Sequence, residues 1–407
     1  MNKFSLIIFT LLILISVIFA GQEKPYVVVV SFDGFRWDYA LRGITPNLER
    51  MARQGVKALT LQPSFPSKTF PNHYSIVTGL YPQNHGLIDN RFRNPFSGAM
   101  YRLGDTLAVR DDRWYHGESI WTTAKRQGIK TASFFWPGSE THLEYKHPTY
   151  FKRYDGSVSH ENRIQGVIDW LKLPANDRPQ FILMYFSDTD DIGHKYGPES
   201  TEINEAIRLL DNRLGELMDQ LQTINMLQKI HLIVISDHGM TSLDNQRAIL
   251  LSDVFGQNIP QFLISGPMIQ FHSNDPIEAS YVYNRLKENE RGYQVYYREE
   301  FPEYFNYARN PFVGNVIAIA DLGYTFFRDQ KTFERANTGY RGGDHGYDNF
   351  ALDMHGIFVA MGPKFRENYQ TGTILNIDLY PLFCELLGIF PNQMIDGKLE
   401  RVKYLLK

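Results

Sequence analysis

Four short segments of this sequence place metal-ligand side chains beside glycine or at the end of an apolar run. Asp190 and His194 stand four apart in DTDDIGHKYGP, a spacing that puts both on one face of a helix. Asp237 and His238 follow an apolar strand-like run in ISDHGM, His345 sits in RGGDHGYDN, and Asp33 closes the run YVVVVSF. One Asp-His pair at a strand end is most often a plain turn. Four clusters that use three of the 12 histidines point instead to bound cations. Mixed carboxylate and imidazole donors suit zinc, with manganese or iron as other occupants. Two such ions about 3.5–4 Å apart can stabilise the attacking and leaving oxygens of a phosphoryl transfer.

A nucleophile candidate lies in PSFPSKTFPNHYS, residues 63–75, where Ser67 and Thr69 both offer a hydroxyl. A hydroxyl is a weak nucleophile at neutral pH until a metal lowers its pKa. Lys68 adds a positive charge suited to phosphate. A helix opening near Asn72 would aim its N-terminus at the same anion. A hydroxyl in such a loop is also an ordinary turn or capping residue, so both stay open at this point.

The elements that must position these groups read as alternating strands and helices. Strands are expected at 26–30, 129–135, 179–186, 230–235 and 356–361. Helices are expected at 46–54, 72–78, 117–128, 162–173, 201–223 and 378–387. This alternation predicts an α/β fold with a mostly parallel central sheet flanked by helices. Ligands bind beyond the carboxyl ends of such strands, which is where Asp33, Asp190 and Asp237-His238 fall. Residues 270–340 are less periodic and read as an insertion or lid.

Length and composition exclude several alternatives. With 407 residues, 43% hydrophobic and 21% charged, the chain can bury a large core. A formal charge of −3 argues against a nucleic-acid polymer as main partner. The single cysteine, Cys384, permits neither an internal disulfide nor a cysteine-rich zinc site, and reads as a core thiol. Residues 1–20 carry Lys3 and then an apolar run to Ala20. They read as a signal peptide cleaved after Ala20, with an uncleaved anchor as the other reading. The expectation is an exported protein, periplasmic or secreted, with a single catalytic domain at 21–407 and no stable membrane span after cleavage. Nothing in the sequence sets an oligomeric state.

Six segments in order, SFDGFRWDY, PSFPSKTFPNHYSIVTGLYPQNHGLIDN, FFWPGSE, SDTDDIGHKYGP, ISDHGM and GDHGYDN, closely resemble the nucleotide pyrophosphatase/phosphodiesterase family of the alkaline phosphatase superfamily. The likeness runs over about residues 25–390, and its most specific block is Pro63 to Asn90. It implies an alkaline-phosphatase-like fold and a hydrolase with two Zn²⁺ ions. One zinc would be held by Asp190, His194 and His345, the other by Asp33, Asp237, His238 and the oxygen of Thr69. The resemblance makes Thr69 the nucleophile and gives Asn90 a hydrogen bond to a non-bridging phosphate oxygen. Phe70 and Tyr154 match the family's base-stacking positions, and Trp136 matches a further pocket residue. The implied reaction cleaves small-molecule nucleotides at the α-phosphorus through a phospho-threonine and releases a nucleoside monophosphate. Choline or lysophospholipid phosphodiesterase and phosphomonoesterase activities, found elsewhere in the superfamily, are the competing readings. A sulfatase would need a different nucleophile motif. A non-catalytic relative would have lost a ligand, and all seven are present.

Overall fold

The computed structural model describes residues 25–337 and 342–407, so the expected signal peptide lies outside the described residues. Its central strands are β1 (Tyr26–Phe32), β2 (Gly55–Ala58), β3 (Thr131–Phe134), β4 (Tyr150–Lys152), β5 (Phe181–Phe186) and β6 (Ile230–Ile235). An insertion supplies β7 (Phe262–Ser265), β8 (Met268–Phe271), β9 (Tyr293–Tyr297) and β10 (Val316–Ala320). The chain then returns to the main sheet with β11 (Phe358–Met361) and β12 (Tyr369–Thr371).

The main sheet has the order β12-β2-β11-β6-β1-β5-β3-β4. Strands β6, β1, β5, β3 and β4 run parallel, and β11 is antiparallel to both neighbours. The unbroken apolar run of β1 follows from its place at the centre. Val27 and Val29 enter one core, while Val28, Val30 and Phe32 enter the other. Each fully buried valine contributes roughly 1.5–3 kcal/mol.

Helices complete both cores: α1 (Pro46–Arg53), α2 (Thr69–Thr78), α3 (His160–Lys172), α4 (Asp188–Tyr196), α5 (Thr201–Thr223), α6 (Pro276–Glu288) and α7 (Leu379–Leu387). One core packs α2 and α7 against the sheet, and the other packs α1, α3 and α5. Helix α5 has the bounds read from its periodicity. Ser200 caps it by accepting from Ile203 N, and Ile203, Ile207, Leu210, Leu214 and Leu221 form its buried stripe. No helix among the described residues is long and apolar enough to cross a membrane.

Two expectations need correction. Helix α2 opens at Thr69, three residues before Asn72. Asn72 lies inside the helix. Its amide nitrogen donates to Pro66 O and Lys68 O, and its oxygen accepts Ser64 N, so it stitches the preceding loop from inside the helix.

The insertion starts before residue 270. Its antiparallel sheet, in the order β7-β8-β10-β9, already includes Phe262, and Ala248–Leu250 pairs in parallel with Thr325–Phe327 at its base. The β7-β8 turn is Gly266-Pro267, and Gly266 supplies the positive φ of 64° that a two-residue hairpin turn needs. Helix α6 covers this sheet and gives it a core of its own.

The insertion rests on loops of the main body. The Phe65 ring sits among Phe301, Phe305 and Tyr307, with centroids 5.8, 4.5 and 5.1 Å away. Ser265 Oγ donates to the buried Asp89 carboxylate at 2.6 Å.

Candidate two-metal site and adjoining cleft

The carboxyl ends of β1, β5 and β6 place three acidic loops side by side. Asp33 follows β1 directly, Asp190 and His194 lie on α4 just beyond β5, and Asp237-His238 follow β6. His345 comes from far along the chain. It is held there because Gly343–Asp344 pairs antiparallel with Thr241–Ser242. Gly34, with φ 65°, lets the β1 loop press on α4, since a Cβ there would lie 2.9 Å from Asp190 Cα.

These residues form two clusters. Asp190, His194 and His345 bring their ligand atoms within 4.8 Å of one another, as do Asp33, Asp237 and His238. In the first, His345 Nε2 lies 3.1 Å from His194 Nε2, and each is 3.5 Å from Asp190 Oδ1. In the second, His238 Nε2 lies 3.3 Å from Asp33 Oδ1 and 3.2 Å from Asp237 Oδ2.

The outer hydrogen bonds decide what these atoms carry. His194 Nδ1 donates to Gly343 O at 3.0 Å, His238 Nδ1 to Gly239 O at 2.8 Å, and His345 Nδ1 to Ser67 O at 2.7 Å. A neutral imidazole that donates from Nδ1 keeps a lone pair on Nε2. The lone pairs of His194 and His345 face each other, and that of His238 faces carboxylate oxygens and the Thr69 hydroxyl. Asp33 Oδ1, Asp190 Oδ1 and Asp237 Oδ2 are buried without a hydrogen-bond partner. Bare acceptors gathered this way repel, and a cation in each cluster would satisfy them. Consistently, burial pushes the Asp33 and Asp237 carboxyls well above the usual range, helped by repulsion from neighbouring aspartates. Burial likewise pushes the imidazoles of His238 and His345 well below theirs.

Of the two hydroxyl candidates, only Thr69 reaches the clusters. It is the first residue of α2, and its Oγ1 is 3.3 Å from His238 Nε2. Ser67 is committed elsewhere: its Oγ donates to Tyr347 O and accepts Gly346 N, which steadies the loop carrying His345.

Lys68 does not line the cleft among the described residues. Its ammonium donates to His345 O at 2.6 Å and lies 3.5 Å from Asp344. Proximity in sequence to Thr69 placed it near phosphate, but its helix-capping backbone turns it toward the opposite loop. Asn90 Oδ1 accepts Phe70 N at 3.0 Å, which leaves the amide nitrogen available as a donor.

Thr69, Asp33 and Asp190 open into a cleft of about 280 Å³. Its walls include Phe70, Trp136 and Tyr154, and none of its lining residues comes from the insertion. Tyr154 is 53% exposed. Trp136 is buried, with its indole N–H donating to His73 O at 3.1 Å.

Three supporting residues escaped the sequence reading. Tyr185 donates its hydroxyl to Asp33 Oδ2 at 2.5 Å, and Thr189 Oγ1 donates to Asp33 O at 2.5 Å. His73 joins α2 to β1: its Nδ1 donates to Thr69 O at 2.9 Å, and its Nε2 meets Ser31 Oγ at 2.8 Å. The only available signal was Tyr185 itself, the one hydrogen-bonding side chain in the strand FILMYF.

Comparison with known proteins gives a consistent picture. The family model described as "Type I phosphodiesterase / nucleotide pyrophosphatase" matches residues 27–348. Human ectonucleotide pyrophosphatase/phosphodiesterase family member 1 is 36% identical over 382 residues, covering 91% of this chain and 41% of its own length. The venom phosphodiesterase CdcPDE of Crotalus durissus collilineatus is 35% identical over 398 residues, covering 95% of this chain and 47% of its own. The chain thus spans about half the length of the curated relatives it matches. Among solved structures, murine ectonucleotide pyrophosphatase/phosphodiesterase 5 superposes with a TM-score of 0.87 at 32% identity, covering 94% of this chain and 100% of that one. An inactive threonine-to-alanine variant of the same mouse protein, in complex with AMP, superposes with a TM-score of 0.88.

Proposed function

The chain belongs to the type I phosphodiesterase / nucleotide pyrophosphatase family, and from that premise we propose that it hydrolyses nucleotide phosphodiester and phosphoanhydride bonds at the α-phosphorus. The observation that carries this reading is the place of Thr69 Oγ1, beside His238 Nε2 and lining a cleft with aromatic walls. The AMP bound to the murine neighbour supports a nucleotide as occupant.

Asp190, His194 and His345 would hold one zinc, and Asp33, Asp237, His238 and the Thr69 oxygen the other. Nitrogen and oxygen donors fit that ion. Bound there, zinc would lower the pKa of the Thr69 hydroxyl and supply positive charge to the oxygens of the transfer.

The chain's own residues do the rest. Thr69 Oγ1 attacks phosphorus in line; the new P–O bond forms as the bond to the leaving group breaks. The Asn90 amide donates to a non-bridging oxygen, and its hold on Phe70 N fixes that amide's direction. Phe70 and Tyr154 grip the base. The His73 bond to Thr69 O and the Ser67 bond to the His345 imidazole keep both sides of the site in register. Water then attacks the phospho-threonine from the vacated side, which releases the nucleoside monophosphate and restores Thr69.

The reading also places the protein outside the cytoplasm. It rests on the apolar segment at residues 1–20 and on relatives named as ectoenzymes and venom enzymes.

The test is a paired rate measurement on purified, zinc-loaded protein. Nitrophenyl thymidine monophosphate should be cleaved more than about tenfold faster than nitrophenyl phosphorylcholine, a preference of roughly 1.4 kcal/mol. A faster choline ester would overturn the nucleotide assignment and leave the phosphodiesterase chemistry standing.

A further inference from the structure

Among the described residues one cation lines the cleft, and it is half used. Arg110 ends the five-residue helix Thr106–Arg110. Its Nε donates to Glu140 Oε2 at 3.2 Å. The other oxygen of that carboxylate, Oε1, accepts the backbone N–H of Tyr154 at 3.3 Å. Glu140, only 12% exposed in its side chain, thus ties the arginine to the segment that carries the exposed tyrosine ring. The two terminal nitrogens of Arg110 have no protein acceptor among the described residues. A guanidinium fixed along one edge presents the remaining pair of nitrogens as a rigid, donor-only fork.

The surroundings restrict what that fork can take. Beyond the metal-ligand candidates, the other charged side chains lining the cleft are Glu140 and Asp191, both acidic. A polyphosphate lying here would face two carboxylates for one cation. The apolar wall formed by Leu103, Val109 and Phe135 suits a flat, neutral ring instead. The partner for the fork is then a pair of neutral acceptors on the edge of a base.

We propose that Arg110 reads the base and that the cleft favours guanine over adenine nucleotides. Guanine presents O6 and N7 side by side, an acceptor pair that matches two guanidinium nitrogens. Adenine places its N6 amino donor where O6 would be and sets donor against donor. Glu140 is a positioning residue here: it holds the fork and does not itself select the base. The inference rests on the nucleotidase reading above, because the base must occupy this cleft.

The experiment compares the nitrophenyl esters of 5′-GMP and 5′-AMP, which share one leaving group, on zinc-loaded protein. The wild type should show a kcat/KM ratio of about ten in favour of guanine. Arg110→Ala should bring that ratio close to one. Arg110→Lys, which keeps the charge and loses the fork, should recover at most a small part of it. Titration calorimetry with GMP and AMP should give the same order without turnover. Equal wild-type rates on the two esters, or a ratio that survives Arg110→Ala, would overturn the base assignment while the nucleotidase reading stands. Equal losses on both esters in Arg110→Ala, restored by Arg110→Lys, would instead assign the charge to phosphate and also overturn it. Cleavage of neither ester by the wild type would remove the nucleotidase reading, and this inference with it.

Discussion

The imidazoles of His238 and His345 lie face to face, with centroids 3.6 Å apart and planes 13° from parallel. Each belongs to a different cluster of ligand atoms, so the stacked pair is the shared wall between the two. Removing His345 therefore does more than delete one donor. His345→Ala should empty the cluster of Asp190 and His194 and also weaken metal binding at Asp33, Asp237 and His238 by about tenfold, since His238 loses the ring that fixes its plane. Chelator competition with two-site fitting measures this. An unchanged second affinity would mean that the clusters act independently.

Thr69→Ala removes the proposed nucleophile without touching either imidazole. Turnover of nitrophenyl thymidine monophosphate should fall by roughly 10³-fold or more, while the cluster of Asp190, His194 and His345 keeps its zinc. Survival of activity would end the phospho-threonine mechanism.

Tyr185→Phe deletes the hydroxyl that donates to Asp33 Oδ2. The variant should keep its fold, because the ring stays in place. Zinc affinity or kcat should drop about 10–100-fold, the usual effect of losing a partner to a metal-binding carboxylate. If both values stay within twofold, the hydroxyl is not what aims Asp33.

Acid should destabilise the protein through histidines away from the site. Burial lowers His231, His272 and His355 to about 4 and His85 to about 3. Below pH 6.5 the unfolded chain binds protons at these four positions that the folded chain refuses. Stability is therefore full above about 6.5 and declines as pH falls toward 4. The loss between pH 6.5 and 5 should be of the order of a few kcal/mol, at about 1.4 kcal/mol per unit of differential titration. Urea midpoints from pH 7.5 to 5 test the sign, and His231→Phe should flatten the slope.

The long periodic elements and the strand-end clusters were legible because period and position are local properties. Thr201–Thr223 and Ile230–Ile235 needed nothing beyond their own residues. The helix α2 opens at Thr69 rather than near Asn72 because the proline-rich loop runs straight into it, held by the Asn72 side chain at Ser64, Pro66 and Lys68. Ser67 and Thr69 are not separable by their own residue types, and only the family resemblance favours Thr69 in the sequence. Their difference lies in the distant Gly346 and Tyr347, which claim one hydroxyl and leave the other free. Arg110 and Glu140 are thirty residues apart and carry no joint signal; only the fold makes them a pair.

The seating of Phe65 among Phe301, Phe305 and Tyr307 has a bearing on how the protein is born. The loop that bears Thr69 is made early, but its aromatic seat, the Ser265 prop under Asp89 and the ring of His345 are all translated much later. A nascent chain therefore carries Thr69 without these supports through most of its synthesis. Competence arrives only once the last third of the polypeptide has folded back onto the first.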